Sequence, residues 1–186
     1  GDVVWQIDTG AEYGMTVPVY GISNAPLVEG DLLIAIVGGY PDAKIVAFNK
    51  TTGREAWRAL EMTSETGYSS PIVIDAGGTR QLILWHATAL TSINPETGET
   101  YWEQELILGN GMAITTPVRS GQYLVVSQFR NGSMMMALNS DRPAARMLWA
   151  GRSRSELPHQ TDGLHSIIST PIIIGNYLYG VGSYGE

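Results

Sequence analysis

Residues 81–85 read Gln-Leu-Ile-Leu-Trp, and two apolar sets alternate there, Leu82 and Leu84 against Ile83 and Trp85. A period of two puts successive side chains on opposite faces, so this run predicts a strand buried on both sides. Residues 123–129, YLVVSQF, repeat the pattern. No segment keeps apolar residues at i, i+3, i+4 and i+7 for the ten or more positions a helix needs. Glycine-containing polar breaks punctuate the apolar runs at VEGD, IDAGGTRQ, RSGQ and IGN, and each predicts a tight connection between two strands.

The runs recur. A step ending in proline precedes an apolar stretch at Pro26, Pro71, Pro117 and Pro171. From the first three of these prolines a tryptophan follows at a nearly constant distance, at Trp57, Trp102 and Trp149. The unit is therefore about 45 residues, in the range of a propeller blade. Each unit reads as four antiparallel strands, which in the second fall near residues 71–74, 81–86, 89–94 and 100–106. The implied division is the end of a preceding blade at 1–10, blades at 24–60, 69–106 and 115–150, a long inter-blade loop at 151–168, and the start of a further blade at 169–186. Trp5, with residues 3–7 around it, is expected on the last strand of the preceding blade.

Between the third and fourth strands lies a shared polar turn, NKTTGREAW at 49–57 and NPETGETYW at 94–102. Pro95 presets the backbone of a type I corner, Gly53 and Gly98 supply the left-handed residue, and Asn94 and Thr97 can bond the turn from their side chains. Trp5, Trp57, Trp102 and Trp149 are expected to pack on neighbouring units, which makes turn and tryptophan structural. The third copy, ALNSDRPAARMLW at 137–149, lacks Thr-Gly and is two residues longer, so its turn must be built differently, with the register expected to recover by Trp149.

These copies, AFNKTTGREAW and SINPETGETYW, resemble the signature of the pyrroloquinoline-quinone-repeat (PQQ-like) β-propellers, and the resemblance covers nearly the whole chain. It implies an all-β fold, a β-propeller of four-stranded antiparallel blades with the radial plan of WD40-like repeats. The family often closes rings of eight blades, so the chain is expected to supply about half of one, with the remaining blades in the same polypeptide. The family includes an outer-membrane assembly lipoprotein acting as a protein-binding scaffold. It also includes quinone-dependent alcohol and sugar dehydrogenases that use PQQ with Ca²⁺. The quinoprotein pattern calls for hard oxygen ligands, a catalytic aspartate and commonly adjacent cysteines; this sequence has no Cys, and no ligand set carries over. The resemblance thus favours a non-catalytic scaffold with a protein partner in the periplasm or cell envelope and no cofactor, a dehydrogenase segment being the alternative.

Composition narrows the field. With 44% hydrophobic and 16% charged residues, the 186-residue chain can bury a core. A net charge of −7 is the wrong sign for a nucleic-acid surface. The longest apolar run, residues 32–37, is too short to span a bilayer, so no transmembrane segment is expected. IDTGA at 7–11 looks like the active-site loop of aspartic proteases, which need two aspartates sharing a proton. A second Asp-Thr-Gly is lacking, and the repeat places Asp8 near a strand end.

Loop lengths point to one face. The turns between first and second and between third and fourth strands are short. On the opposite face, Trp57 to Pro71 and Trp102 to Pro117 are brief connections, but Trp5 to Pro26 and Trp149 to Pro171 are long. Irregular loops on a rigid scaffold commonly carry binding residues, so a partner or small molecule is expected there. The densest polar stretch, residues 151–166, offers His159, Asp162 and His165 for an anion or metal, or is a solvated loop. The histidine spacing matches no diagnostic zinc pattern. His86, beside Trp85, is expected as a packed or rim residue, and Met134 to Met136 as core filler.

Overall fold

A computed structural model describes residues 1–186 except 62, 109–110, 129, 131, 154, 156 and 183–186. A short helix, α1 (Thr9–Tyr13), precedes three four-stranded sheets. They are β1 (Leu27–Glu29), β2 (Leu32–Gly39), β3 (Ala43–Asn49) and β4 (Glu55–Ala59); β5 (Ile72–Ala76), β6 (Thr79–Trp85), β7 (Ala89–Ile93) and β8 (Thr100–Glu105); and β9 (Val118–Ser120), β10 (Tyr123–Gln128), β11 (Gly132–Leu138) and β12 (Ala145–Ala150). A two-stranded sheet, β13 (Ile172–Ile174) and β14 (Tyr177–Tyr179), follows. Each four-stranded sheet is an antiparallel meander in chain order, the blade of a β-propeller.

The alternation of β6 explains its sequence. Leu82 and Leu84 pack with Ile34, Ile45, Ala47 and Trp57 of the first blade, whereas Ile83 and Trp85 pack with Leu124, Val126, Met134 and Met136 of the third. A blade between two others buries both faces, so β7 is buried at every residue. Each such apolar side chain contributes roughly 1.5–3 kcal/mol of burial. Met135, on the opposite face from Met134 and Met136, is half-buried.

Hydrogen bonds cross between blades at the proline steps. The Asn24 side chain donates to the Ser69 carbonyl at 2.9 Å, and the Ser69 hydroxyl donates to the Thr115 carbonyl at 2.9 Å. The Ala25 amide donates to the Ser70 hydroxyl at 3.0 Å, and the Thr116 amide to the Thr170 hydroxyl at 3.1 Å. The hydroxyls of Ser70 and Thr170, each just before a proline, thus accept the amide of the equivalent residue one blade earlier.

The N-terminal segment differs from the expectation. Residues 3–7 form no strand, because no described strand lies alongside to pair with them. They pack instead through Trp5 and Ile7 on the outer face of the first blade, with Tyr13 and Phe48. Asp8 lies at no strand end: it caps α1, its Oδ1 accepting from the Gly10 and Ala11 amides. Asp-Thr-Gly here is a helix cap. Tyr13 then donates to Glu55 at 2.8 Å, which anchors the segment to β4.

Candidate functional site

The shared turn is built as its residues dictate. Asn49 Oδ1 accepts from the Thr51 and Thr52 amides, Thr52 Oγ1 accepts from the Arg54 amide, and Gly53 has φ of 71°. Asn94, Thr97 and Gly98 repeat this, with φ of 78° at the glycine.

The glycine answers to the preceding tryptophan. A Cβ at Gly53 would lie 2.7 Å from the Trp5 ring, and one at Gly98 would lie 2.8 Å from the Trp57 ring. Trp5 Nε1 donates to the Lys50 carbonyl at 2.9 Å, and Trp57 Nε1 donates to the Pro95 carbonyl at 3.1 Å, the same turn position in successive blades. Gly98 is therefore required twice, for a left-handed backbone and for the ring above it. In the third blade, Pro143 holds the equivalent position. Trp102 finds no glycine there and donates within its own blade, to Gln81 Oε1 at 2.9 Å.

The third turn keeps Asn139, whose Oδ1 accepts from the Asp141 and Arg142 amides. Its extra residues are not absorbed before the tryptophan, contrary to the expected recovery of register. Trp57 and Trp102 pair with Ala47 and Ser92, two residues before the turn asparagine. The equivalent Ala137 pairs with Arg146, and Trp149 pairs with Met135, one pleat further along. Trp149 is 43% exposed.

On the long-loop face, His159 is exposed and apart from the other two candidates. Asp162 and His165 come together, His165 Nε2 lying 3.4 Å from Asp162 Oδ1. The Arg152 amide donates to Asp162 Oδ2 at 2.7 Å and holds that carboxyl below its ordinary range, helped by the Ser153 amide and His165. His165 is only 1% exposed, and a Cβ at Gly132 would lie 2.8 Å from its Nε2. His165 is thus packed, while Asp162 stays exposed to solvent. Arg154 and Glu156 of the same stretch lie outside the described residues, as does Asn131 of the Asn-Gly-Ser sequence.

Sequence reasoning missed a buried polar cluster between the first two blades. Lys44 and His86 are each 4% exposed, and Lys44 Nζ lies 3.4 Å from His86 Nδ1. His86 Nε2 lies 2.9 Å from Thr91 Oγ1, which donates to Glu103 Oε2 at 3.0 Å. Because the threonine proton goes to the carboxylate, its oxygen accepts from His86. The Nε2–H tautomer follows, leaving Nδ1 to accept from Lys44 and from Thr88 at 3.2 Å. Burial, reinforced by the Lys44 charge, pushes His86 down to about 3. Burial also lowers Lys44, against the pull of Glu103. The signal was a lysine inside the apolar strand AKIVAF, 42 positions before His86.

Beside this cluster, a cavity of about 370 Å³ opens between residues 16–24 and 63–66, and it shares Ile36 and Thr66 with the walls around Lys44 and His86. Val17, Val19, Tyr20 and Ile22 stand exposed in its outer loop. No described helix is long and apolar enough to cross a membrane. Among the described residues, no three His, Asp or Glu side chains converge as a metal-ligand set.

A family model described as "Outer membrane protein assembly factor BamB" matches residues 1–186. The chain belongs to this BamB-like PQQ-repeat family. The crystal structure of BamB from Moraxella catarrhalis superposes with a TM-score of 0.59 at 15% identity, over 89% of this chain and 44% of that one. At that identity the likeness concerns the fold, a β-propeller. A quinoprotein ethanol dehydrogenase of Pseudomonas aeruginosa is 26% identical over 101 residues, 48% of this chain and 16% of the relative. The BamB-like chain thus spans less than half the length of either protein.

Proposed function

We propose that this chain is part of a non-catalytic propeller scaffold that binds protein partners during envelope assembly, with the long-loop face as contact surface. The observation that carries the reading is the match of an assembly-factor family over every residue of the chain. The rigid blades and the exposed apolar side chains at Val17, Val19, Tyr20 and Ile22 support it. A periplasmic or envelope location, further blades beside the β13–β14 sheet and a closed ring of about eight belong to the same proposal. Trp5, Trp57 and Trp102 act in it as structural residues, together with Gly53 and Gly98.

The second reading, a segment of a quinone-dependent alcohol or sugar dehydrogenase, rests on the partial match to the ethanol dehydrogenase. Among the described residues, no three Asp, Glu or His side chains converge to hold the Ca²⁺ that such a site uses. Site-specific photo-crosslinking tests the scaffold reading. Probes at Tyr20 and Ile168, on the long-loop face, should crosslink to an envelope protein, while probes at Thr51 and Glu96 on the short-turn face should not. Equal crosslinking from both faces overturns the choice of face. A bound chromophore and dye-linked alcohol oxidation, after adding PQQ and Ca²⁺ to the native protein, would overturn the scaffold itself.

A further inference from the structure

We propose that the chain Lys44–His86–Thr91–Glu103 is an acid-sensitive latch, which holds the first and second blades together on the long-loop face and opens when His86 takes a proton. Lys44, His86 and Thr91, from two blades, meet in an interior otherwise filled by Ile45, Leu84 and Trp85, and Glu103 reaches Thr91 from the exposed side. Lys44 comes from β3, Thr91 from β7 and Glu103 from β8, and His86 occupies the turn between β6 and β7. The two bonds that His86 Nδ1 accepts, from Lys44 and Thr88, require a neutral imidazole.

Protonation at Nδ1 would remove the acceptor that Lys44 and Thr88 use, and would place an imidazolium 3.4 Å from an ammonium. Like charges that close in a dry interior repel strongly. Glu103 reaches His86 only through Thr91, so it cannot neutralise the new charge directly. Glu65, on the connection before β5, lies beside Gly111 and Ala87. Opening would spread along one route. The Leu106 amide donates to the Thr88 carbonyl and the Leu108 amide to the Ala87 carbonyl, so the segment after β8 hangs on the latch turn.

The sign follows from linkage. His86 has a folded pKa of about 3 against an ordinary 6.5, so the neutral form contributes fully above pH 6.5 and its contribution is lost as pH falls toward 3. The latch is specific to this junction. Strand register equates Lys44 with Ala89 and Met134, and His86 with Val126, so the next junction lacks the pair.

Hydrogen exchange on the native protein tests this. The His86 C2–H should report a titration far below 6.5. Amides of residues 84–92 and 103–108 should lose protection as pH drops below 6.5, up to about tenfold per unit after correction for intrinsic rates. Residues 124–128 should not respond. His86→Gln, which cannot take a proton, should abolish the acid response, and Lys44→Met should move the His86 titration upward. An imidazole titrating near 6.5 with unchanged amide protection, or an equal acid response in His86→Gln, overturns the latch. Should His86→Gln fail to fold, the wild-type imidazole titration decides.

Discussion

At the junction of the first two blades, the Trp57 ring lies on Gly98 and its indole bonds the Pro95 carbonyl; at the next, the glycine position carries Pro143 and Trp102 bonds Gln81 of its own blade. The two tryptophans occupy the same strand position, so their own blades do not set the difference. It is set by one residue of the blade ahead. A glycine leaves a flat backbone shelf for an indole, and a proline offers no such bare backbone. Each Thr-Gly-x-x-x-Trp copy therefore contains half of two contacts, a shelf for the blade behind and a ring for the blade in front.

Four substitutions probe this contrast, all read as denaturant midpoints at unchanged slope. Trp57→Ala, which empties a buried ring site, should have the largest effect, about 3–5 kcal/mol. Gly98→Ala should follow at about 2–3 kcal/mol, since the new methyl strains a left-handed backbone and displaces the Trp57 ring. In the double mutant the two losses should fall short of additivity by about 1 kcal/mol or more, as for residues in contact. Full additivity would separate shelf from ring. Trp102→Ala, at a half-buried site, should cost about 1–2 kcal/mol, and a loss as large as that of Trp57→Ala would erase the contrast. His159→Ala should be smallest, within about 0.5 kcal/mol, as expected for an exposed side chain.

How far sequence could reach is visible in the same residues. Alternation through Leu82 to Trp85 gave the strand and both its faces, because a two-residue period has one structural meaning. The turn was legible because Asn, Thr and Gly act within a few positions of one another. What eluded reading depended on distance along the chain. Lys44 and His86 meet across a blade boundary, and nothing local marks them as partners. Asp8 was read at a strand end because the repeat register was extended into residues that form no ladder; a five-residue helix is too short to show a period. Trp149 was misjudged for a related reason. Two additional residues in a strand can be lost at a bulge or carried along the ladder, and composition does not say which. Of the candidate site, the long loop was found by its length and polarity. The packed state of His165 depends on Gly132 opposite, which no loop statistic contains.

The position of the tryptophan contact has a consequence for ancestry. Because ring and shelf belong to successive units, copying a 45-residue segment in tandem creates a complete contact at the new boundary without any further mutation. A ring of blades can lengthen by duplication and remain sealed at each step, provided every copy retains both halves. The third blade has lost its shelf, so a duplicate of it would leave the indole before it without a seat. Growth of such a ring is therefore constrained at that blade and free at the first two, which would leave younger copies related to blades one and two more often than to blade three.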